Sequence, residues 1–149
     1  MTIVALFGPP AAGKSTLIVE AQKLGIPTCD VECLGTTYAE RKKKFFKLLK
    51  DNHYSYFLVG VADLRRHDFP PSTIKILLLP QSKEYIRHVH ERNDDYPHKK
   101  GQHELVHYDH FVKERDLYDL VFDEVVSDLT LLKEILRETN CPPEIFPKG

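Results

Sequence analysis

The chain has 149 residues, a length that supports one domain with a substantial core and leaves no room for a separate substrate-binding domain. Its 21 Lys and Arg nearly cancel 22 Asp and Glu, for a net charge of −1, and 42% hydrophobic with 29% charged residues is ordinary globular composition. That balance excludes a disordered chain and a polybasic nucleic-acid coat, and runs such as Ile76-Leu77-Leu78-Leu79 fall far short of the ~20 apolar residues a membrane helix needs.

In chain order, Thr2 to Phe7 opens with an unbroken apolar run, Ile3-Val4-Ala5-Leu6-Phe7, stopped by Gly8-Pro9-Pro10, which predicts a strand buried on both faces. Apolar residues at helical spacing from Lys14 to Leu24, ending at Gly25, predict a helix. Ile26 to Val31 predicts a short second strand. From Thr36 to Lys50, Glu40, Arg41, Lys42, Lys43, Lys44 and Lys47 alternate with Tyr38, Phe45, Phe46, Leu48 and Leu49, the pattern of a two-sided helix. Tyr54 to Ala62 predicts a third strand, and Ile74 to Leu79, between Pro70-Pro71 and Pro80, a fourth. Helical patterns follow at Lys83 to Arg92 and His103 to Leu117, separated by a polar loop from Asn93 to Gln102. Leu120-Val121-Phe122 predicts a fifth strand and Leu129 to Glu138 a last helix. Strands alternating with helices predict crossover units, hence a parallel sheet with helices on both faces.

Cys29, Cys33 and Cys141 match neither a zinc-ribbon nor a C-x-x-C spacing, which predicts reduced thiols. With a strand rather than a targeting segment at the amino end, the expected location is the cytoplasm. Histidine is the one compositional oddity: there are eight, and six of them (His88, His90, His98, His103, His107, His110) crowd into one short stretch.

Gly8-Pro9-Pro10-Ala11-Ala12-Gly13-Lys14-Ser15 satisfies G-x-x-x-x-G-K-[ST] between a buried strand and a helix, the context in which the pattern has a mechanism. Backbone N–H groups of such a loop surround the β-phosphate of a nucleoside triphosphate, and the helix amino terminus adds partial positive charge. Lys14 reaches the β- and γ-oxygens, the Ser15 hydroxyl binds Mg²⁺, and Thr16 completes the nucleotide-binding stretch. Chance produces the pattern in roughly one chain in two hundred of this length, so the alternative, a plain glycine-rich turn into a core helix, carries little weight.

A second metal anchor belongs at the end of a neighbouring strand, and Asp63, after Phe57-Leu58-Val59-Gly60-Val61-Ala62, is the candidate. Asp30 and Glu32 close the second strand and fall at the same carboxyl edge of the sheet, where ligands bind in open α/β folds. An acid there could orient an acceptor hydroxyl, take its proton, or hold the metal through water. The plainer reading is that these acids cap the following helices.

These residues resemble the P-loop kinase group that contains nucleoside monophosphate kinases, shikimate kinase and gluconate kinase. Gly8-Pro9-Pro10 with Gly13-Lys14-Ser15-Thr16 is similar to an adenylate-kinase-type loop, and Leu24-Gly25-Ile26-Pro27 leading to Asp30 is similar to the second strand of shikimate kinases. In the carboxyl half, Ile76-Leu77-Leu78-Leu79-Pro80, Glu91-Arg92 and Leu117-Tyr118-Asp119-Leu120-Val121-Phe122 resemble guanylate kinases. The resemblance implies one P-loop domain over residues 1–149, a three-layer α/β/α P-loop NTPase fold with five parallel strands in order 2-3-1-4-5. It also implies an acceptor region after the second strand and a short arginine-bearing lid after the fourth, over approximately residues 87–103.

Carried onto this chain, the lid maps to Arg87, Arg92, His98, Lys99 and Lys100, which would close over the γ-phosphate, exclude water and supply positive charge. Arg41, Arg65 and Arg66 are candidates for gripping an anionic acceptor, because guanidinium forks suit phosphate and carboxylate. Two departures leave the acceptor open. The span between the second and third strands is too short for the guanylate-kinase acceptor insert, and no complete shikimate-binding signature is present.

Three other readings compete. His103-Glu104-Leu105-Val106-His107 matches H-E-x-x-H, a zinc hydrolase helix, though a third ligand at the metzincin spacing is absent and the histidine crowding raises the odds of a chance match. Arg41-Lys42-Lys43-Lys44 with Phe45 and Phe46 could follow a nucleic-acid backbone toward a 5′-hydroxyl end, against which stands the lack of excess positive charge. A nucleotide-binding regulatory protein without transfer chemistry would also keep Lys14 and Ser15. The expectation is a small ATP- and Mg²⁺-dependent phosphotransferase: Lys14, Asp30, Asp63, Arg87 and Arg92 carry the chemistry, Ser15 and Asp63 hold the metal, and Asp30, Glu32, Arg41, Arg65 and Arg66 bind the acceptor. With loop, sheet and lid allotted, residues 30–52 and 63–72 remain for the acceptor pocket, which favours a small acceptor over a macromolecule.

Overall fold

Alternation along the first strand, β1 (Thr2–Phe7), divides the core in two: Ile3, Ala5 and Phe7 join one apolar cluster, Val4 and Leu6 the other. A strand with apolar side chains on both faces needs cover on both, and that requirement sets the layered architecture. The computed structural model describes residues 1–9, 13–79, 108–123 and 127–142. Within them, α1 (Lys14–Lys23), β2 (Thr28–Asp30), α2 (Tyr38–Asp51), β3 (Tyr56–Gly60), β4 (Ile74–Leu78), β5 (Leu120–Phe122) and α3 (Asp128–Glu138) follow β1.

The described strands form one five-stranded sheet in the order β2-β3-β1-β4-β5, with every neighbouring pair parallel. Ile3 lies opposite Phe57 and Leu6 opposite Ile76, so β1 is bonded along both edges. Helices α1 and α3 cover the Val4–Leu6 face with Leu17, Ile18, Ala21, Leu132, Ile135 and Leu136. The other face is covered by Phe45 of α2, with Tyr108 and Phe111 from a helical stretch at residues 108–113. In α3 the three buried positions fall at i, i+3 and i+4, each large aliphatic contributing about 1.5–3 kcal/mol on burial.

Local signals place the helix ends. Thr37 caps α2 by accepting from the Glu40 N–H at 3.2 Å, and Ser127 caps α3 by accepting from Thr130 N–H at 3.2 Å. Gly25, at φ 78°, ends α1: its N–H bonds the Gln22 carbonyl and the Ile26 N–H bonds that of Ala21. The second strand is shorter than Ile26 to Val31, because the Asp30 carboxylate accepts from the Glu32 N–H at 3.2 Å and turns the chain into a 3₁₀ helix, Val31–Leu34. The third strand is likewise Tyr56–Gly60 rather than Tyr54 to Ala62. Of the helix expected from His103 to Leu117, residues 108–113 are helical and Arg115–Leu117 is a 3₁₀ turn, while 103–107 lie outside the described residues. The expected helix from Lys83 to Arg92 and the loop after it also lie outside them.

Candidate active site

The site is at the carboxyl edge of the sheet, where β1 runs into the phosphate-loop motif. Gly13, at φ 91°, takes a left-handed conformation that permits the loop to turn into α1. Lys14 is the first residue of that helix, and its Nζ donates back to the Gly8 carbonyl and to that of Pro9 at 3.4 Å. The ammonium therefore folds over the start of the loop instead of pointing to solvent. Ser15 and Thr16 are both exposed on the first turn of α1. Pro10, Ala11 and Ala12 lie outside the described residues, as do Arg87, Arg92, His98, Lys99, Lys100 and the H-E-x-x-H segment.

The Ser15 hydroxyl donates to Asp30 Oδ2 at 3.2 Å, while Asp30 Oδ1 accepts from the Glu32 N–H. One carboxylate oxygen is thus tied to its own turn and the other is presented to the phosphate loop. Asp30 is the last residue of β2 and pairs in register with Gly60 of β3. Gly60 leaves little room there: a Cβ would stand 3.0 Å from Ile18 Cγ1 and 3.9 Å from Asp30 Oδ1.

Asp63 pairs with an arginine of α2. Its Oδ2 is 3.1 Å from Arg41 Nη1, and Arg41 Nε donates to the Gly35 carbonyl at 2.9 Å. β3 ends at Gly60, and Asp63 lies three residues further on, in the segment that leads to the 3₁₀ turn Arg66–Asp68. The structure therefore brings Ser15 to Asp30 and draws Asp63 away to Arg41. Arg65 is exposed. Arg66 stacks over the Tyr118 ring, 5.4 Å from its centroid, with an Nη2 3.8 Å from Glu114 Oε1. Burial pushes the Tyr118 hydroxyl up to about 12, against the opposing pull of Arg66, so the ring is neutral under the guanidinium. Glu32, beyond the Asp30 turn, is exposed at the mouth of the same edge.

Sequence reasoning missed a second group beside Arg41. Asp68, in the 3₁₀ turn Arg66–Asp68, accepts from the Tyr38 hydroxyl at 2.6 Å and from the Arg65 N–H at 2.8 Å, with Lys42 Nζ at 3.1 Å. Burial by itself would raise its carboxyl, but the Arg65 amide, the Tyr38 hydroxyl and the Lys42 ammonium together hold it below the usual carboxylate range. The helical signal for Tyr38 and Lys42 was legible, since i and i+4 share a face; nothing local marks Asp68 as their partner. Cys29, buried just before Asp30, has its thiol pushed up to about 11 by burial, then by Asp30 and Cys33, and is protonated near neutrality. Among the described residues, no group of three His, Cys, Asp or Glu could hold a metal ion, and no helix is long and apolar enough to cross a membrane.

Sheet order and helix placement among the described residues are those of the P-loop kinase fold. Solved structures with this fold include a shikimate kinase from Acinetobacter baumannii in complex with shikimate, 15% identical over 93% of this chain and 92% of that one, TM-score 0.65. The YorR protein of Bacillus subtilis in complex with phosphorylated GDP is 14% identical over 93% and 96%, TM-score 0.64. A gluconokinase from Sinorhizobium meliloti is 13% identical over 93% and 91%, TM-score 0.60. No protein-family model and no curated protein matches the chain.

Proposed function

We propose that the chain is a small phosphotransferase that moves the γ-phosphoryl group of ATP to a hydroxyl of a small metabolite with the help of Mg²⁺. The observation that carries this reading is the Ser15–Asp30 contact beside Lys14. It joins the phosphate-loop hydroxyl to an acid on the neighbouring edge strand. A hydroxyl and a carboxylate side by side are hard oxygen donors of the kind Mg²⁺ takes alongside water and phosphate oxygens, so Ser15 and Asp30 are the residues that would hold it. When bound, Mg²⁺ neutralises charge on the β- and γ-phosphates.

The chain's own residues supply the rest. Lys14 and the loop amides draw charge from the transferring group as the bond between the γ-phosphorus and the β,γ-bridging oxygen breaks, its electrons leaving with ADP. The acceptor oxygen forms the new bond to phosphorus and gives its proton to the exposed carboxylate of Glu32 at the same edge. Arg41, with Asp63 behind it, faces the acceptor from α2, and Arg65 and Arg66 flank it. Arg87, Arg92, His98, Lys99 and Lys100 form the lid in this reading. A cytoplasmic setting fits the thiols of Cys29 and Cys33.

The test is transfer of labelled γ-phosphate from ATP to a panel of nucleoside monophosphates, nucleosides, sugar acids, neutral sugars and 5′-hydroxyl oligonucleotides. Transfer to one small-molecule class, abolished in Lys14→Ala with the fold intact, supports the proposal. Tight ATP binding without transfer to any of them replaces it with a regulatory nucleotide-binding protein, and transfer to oligonucleotides alone replaces the small acceptor.

A further inference from the structure

Among the described residues, Asp68 is the one buried carboxylate, 4% exposed, and neither phosphoryl transfer nor metal binding gives it work to do. Its Oδ2 accepts two hydrogen bonds, from Tyr38 and from the Arg65 N–H. Its Oδ1 faces cationic and imidazole nitrogens instead, Lys42 Nζ at 3.1 Å and His67 Nε2 at 3.7 Å. Burying an ion is costly even with partners, and an apolar residue would fill the same space more cheaply. What a carboxylate adds is direction, because it must face the Tyr38 hydroxyl, the Arg65 N–H and the Lys42 ammonium at once.

Two of these partners, Tyr38 and Lys42, bracket a residue placed at the acceptor in the proposed function. Tyr38 and Lys42 occupy the first turn and a half of α2, and Arg41 lies between them. Arg41 is held in turn by Asp63 and the Gly35 carbonyl. Two acids from one short segment after β3 therefore grip three side chains of α2. Asp63 meets the guanidinium directly, and Asp68 meets the residues on either side of it.

We propose that Asp68 is a positioning residue for the acceptor: by clamping Tyr38 and Lys42 it fixes α2 against the segment after β3, and so fixes where the Arg41 guanidinium stands. The inference rests on the phosphotransferase reading for the statement that Arg41 faces the acceptor. The clamp itself can be read without any substrate.

The first measurement is the rate of phenylglyoxal modification of Arg41, followed by peptide mass spectrometry with the exposed Arg137 as internal reference, in the parent, Asp68→Asn and Tyr38→Phe. A hydrogen bond to a charged group is worth about tenfold or more in an equilibrium, so Arg41 should react about tenfold faster relative to Arg137 in Asp68→Asn. Tyr38→Phe removes one hydroxyl from a half-exposed ring and should give a smaller increase without threatening the fold. Equal Arg41 reactivity in the three proteins overturns the proposal.

The second measurement is a kinetic cycle on the phosphorylated acceptor. Asp68→Asn should raise the acceptor KM about tenfold, with kcat and the KM for ATP moving less than about twofold, and should add nothing in an Arg41→Ala background. An additive effect in that background, or an equal rise in the KM for ATP, marks Asp68 as a general structural residue and sinks the idea. If the parent phosphorylates no acceptor, the phosphotransferase reading fails, while the arginine modification still decides whether Asp68 places Arg41.

Discussion

Replacing Asp30 by Asn separates it from Asp63 as the acid that would hold Mg²⁺ in the proposed function. Asn keeps the size of Asp30, and its oxygen can still accept from the Glu32 N–H, so the turn after β2 survives. What disappears is the negative charge facing Ser15 at 3.2 Å. Loss of one preorganised electrostatic group at a reacting centre costs about 2.7–4 kcal/mol, or roughly 10²–10³ in kcat. The fold should lose little, since the pair is exposed. Asp63→Asn removes only the Arg41 ion pair, whose side chains are 20% and 40% exposed. Discounted for solvent, that pair is worth about 0.2–1 kcal/mol, at most roughly a fivefold rise in acceptor KM. Initial rates over a Mg²⁺ titration in the two variants provide the assay. Asp30→Asn should need far more Mg²⁺ and stay slow at saturation, whereas Asp63→Asn should follow the parental Mg²⁺ curve. If Asp63→Asn is the variant with the weakened Mg²⁺ response, the assignment of the metal to Ser15 and Asp30 is wrong.

Three further outcomes test the surrounding structure. Gly60→Ala places a methyl 3.0 Å from Ile18 Cγ1 and should destabilise by about 1–3 kcal/mol; an unchanged midpoint in urea would show that α1 gives way freely. Phe45→Ala, at a fully buried ring 5.3 Å from that of Phe69, should cost about 3–5 kcal/mol in the same assay, and a loss below about 1 kcal/mol would mean that α2 does not seal that face. Because the folded-state Asp68 carboxyl titrates below its unfolded value of about 3.9, its contribution is complete above that pH and is lost as pH falls through the folded value. The stability gap between the parent and Asp68→Asn should therefore be constant from about pH 7 to 5 and shrink below about pH 4; a gap that widens on acidification contradicts the depressed carboxyl.

What could be read in the sequence, and what could not, follows from the range of the interactions. Ile3 to Phe7 announces a doubly covered strand because both faces are apolar, and the parallel order of the sheet follows once helices separate the strands. Leu120–Phe122 was legible as a three-residue strand for the same reason. The loop motif carries Lys14 and Ser15 because local backbone geometry defines it. The different partners of Asp30 and Asp63 were not legible from spacing, since they depend on where β2 and β3 end: a side-chain turn at Asp30 halts one strand, and Asp63 lies three residues beyond the other. Asp68 was illegible altogether. Its partners Tyr38 and Lys42 are about thirty residues away in sequence, and no local pattern encodes a contact of that span.

The position of β1 between β3 and β4 also bears on biosynthesis. The strand that launches the phosphate loop is synthesised before its sheet neighbours, since Thr2 pairs with Tyr56 and Val4 with Ile74. Until residue 78 has emerged, one edge of that apolar strand has nothing to bond and the turn into α1 has no floor. A nascent chain truncated within β4 would thus carry the whole nucleotide motif with one edge of its launching strand still unpaired, an apolar edge of the kind chaperones shield.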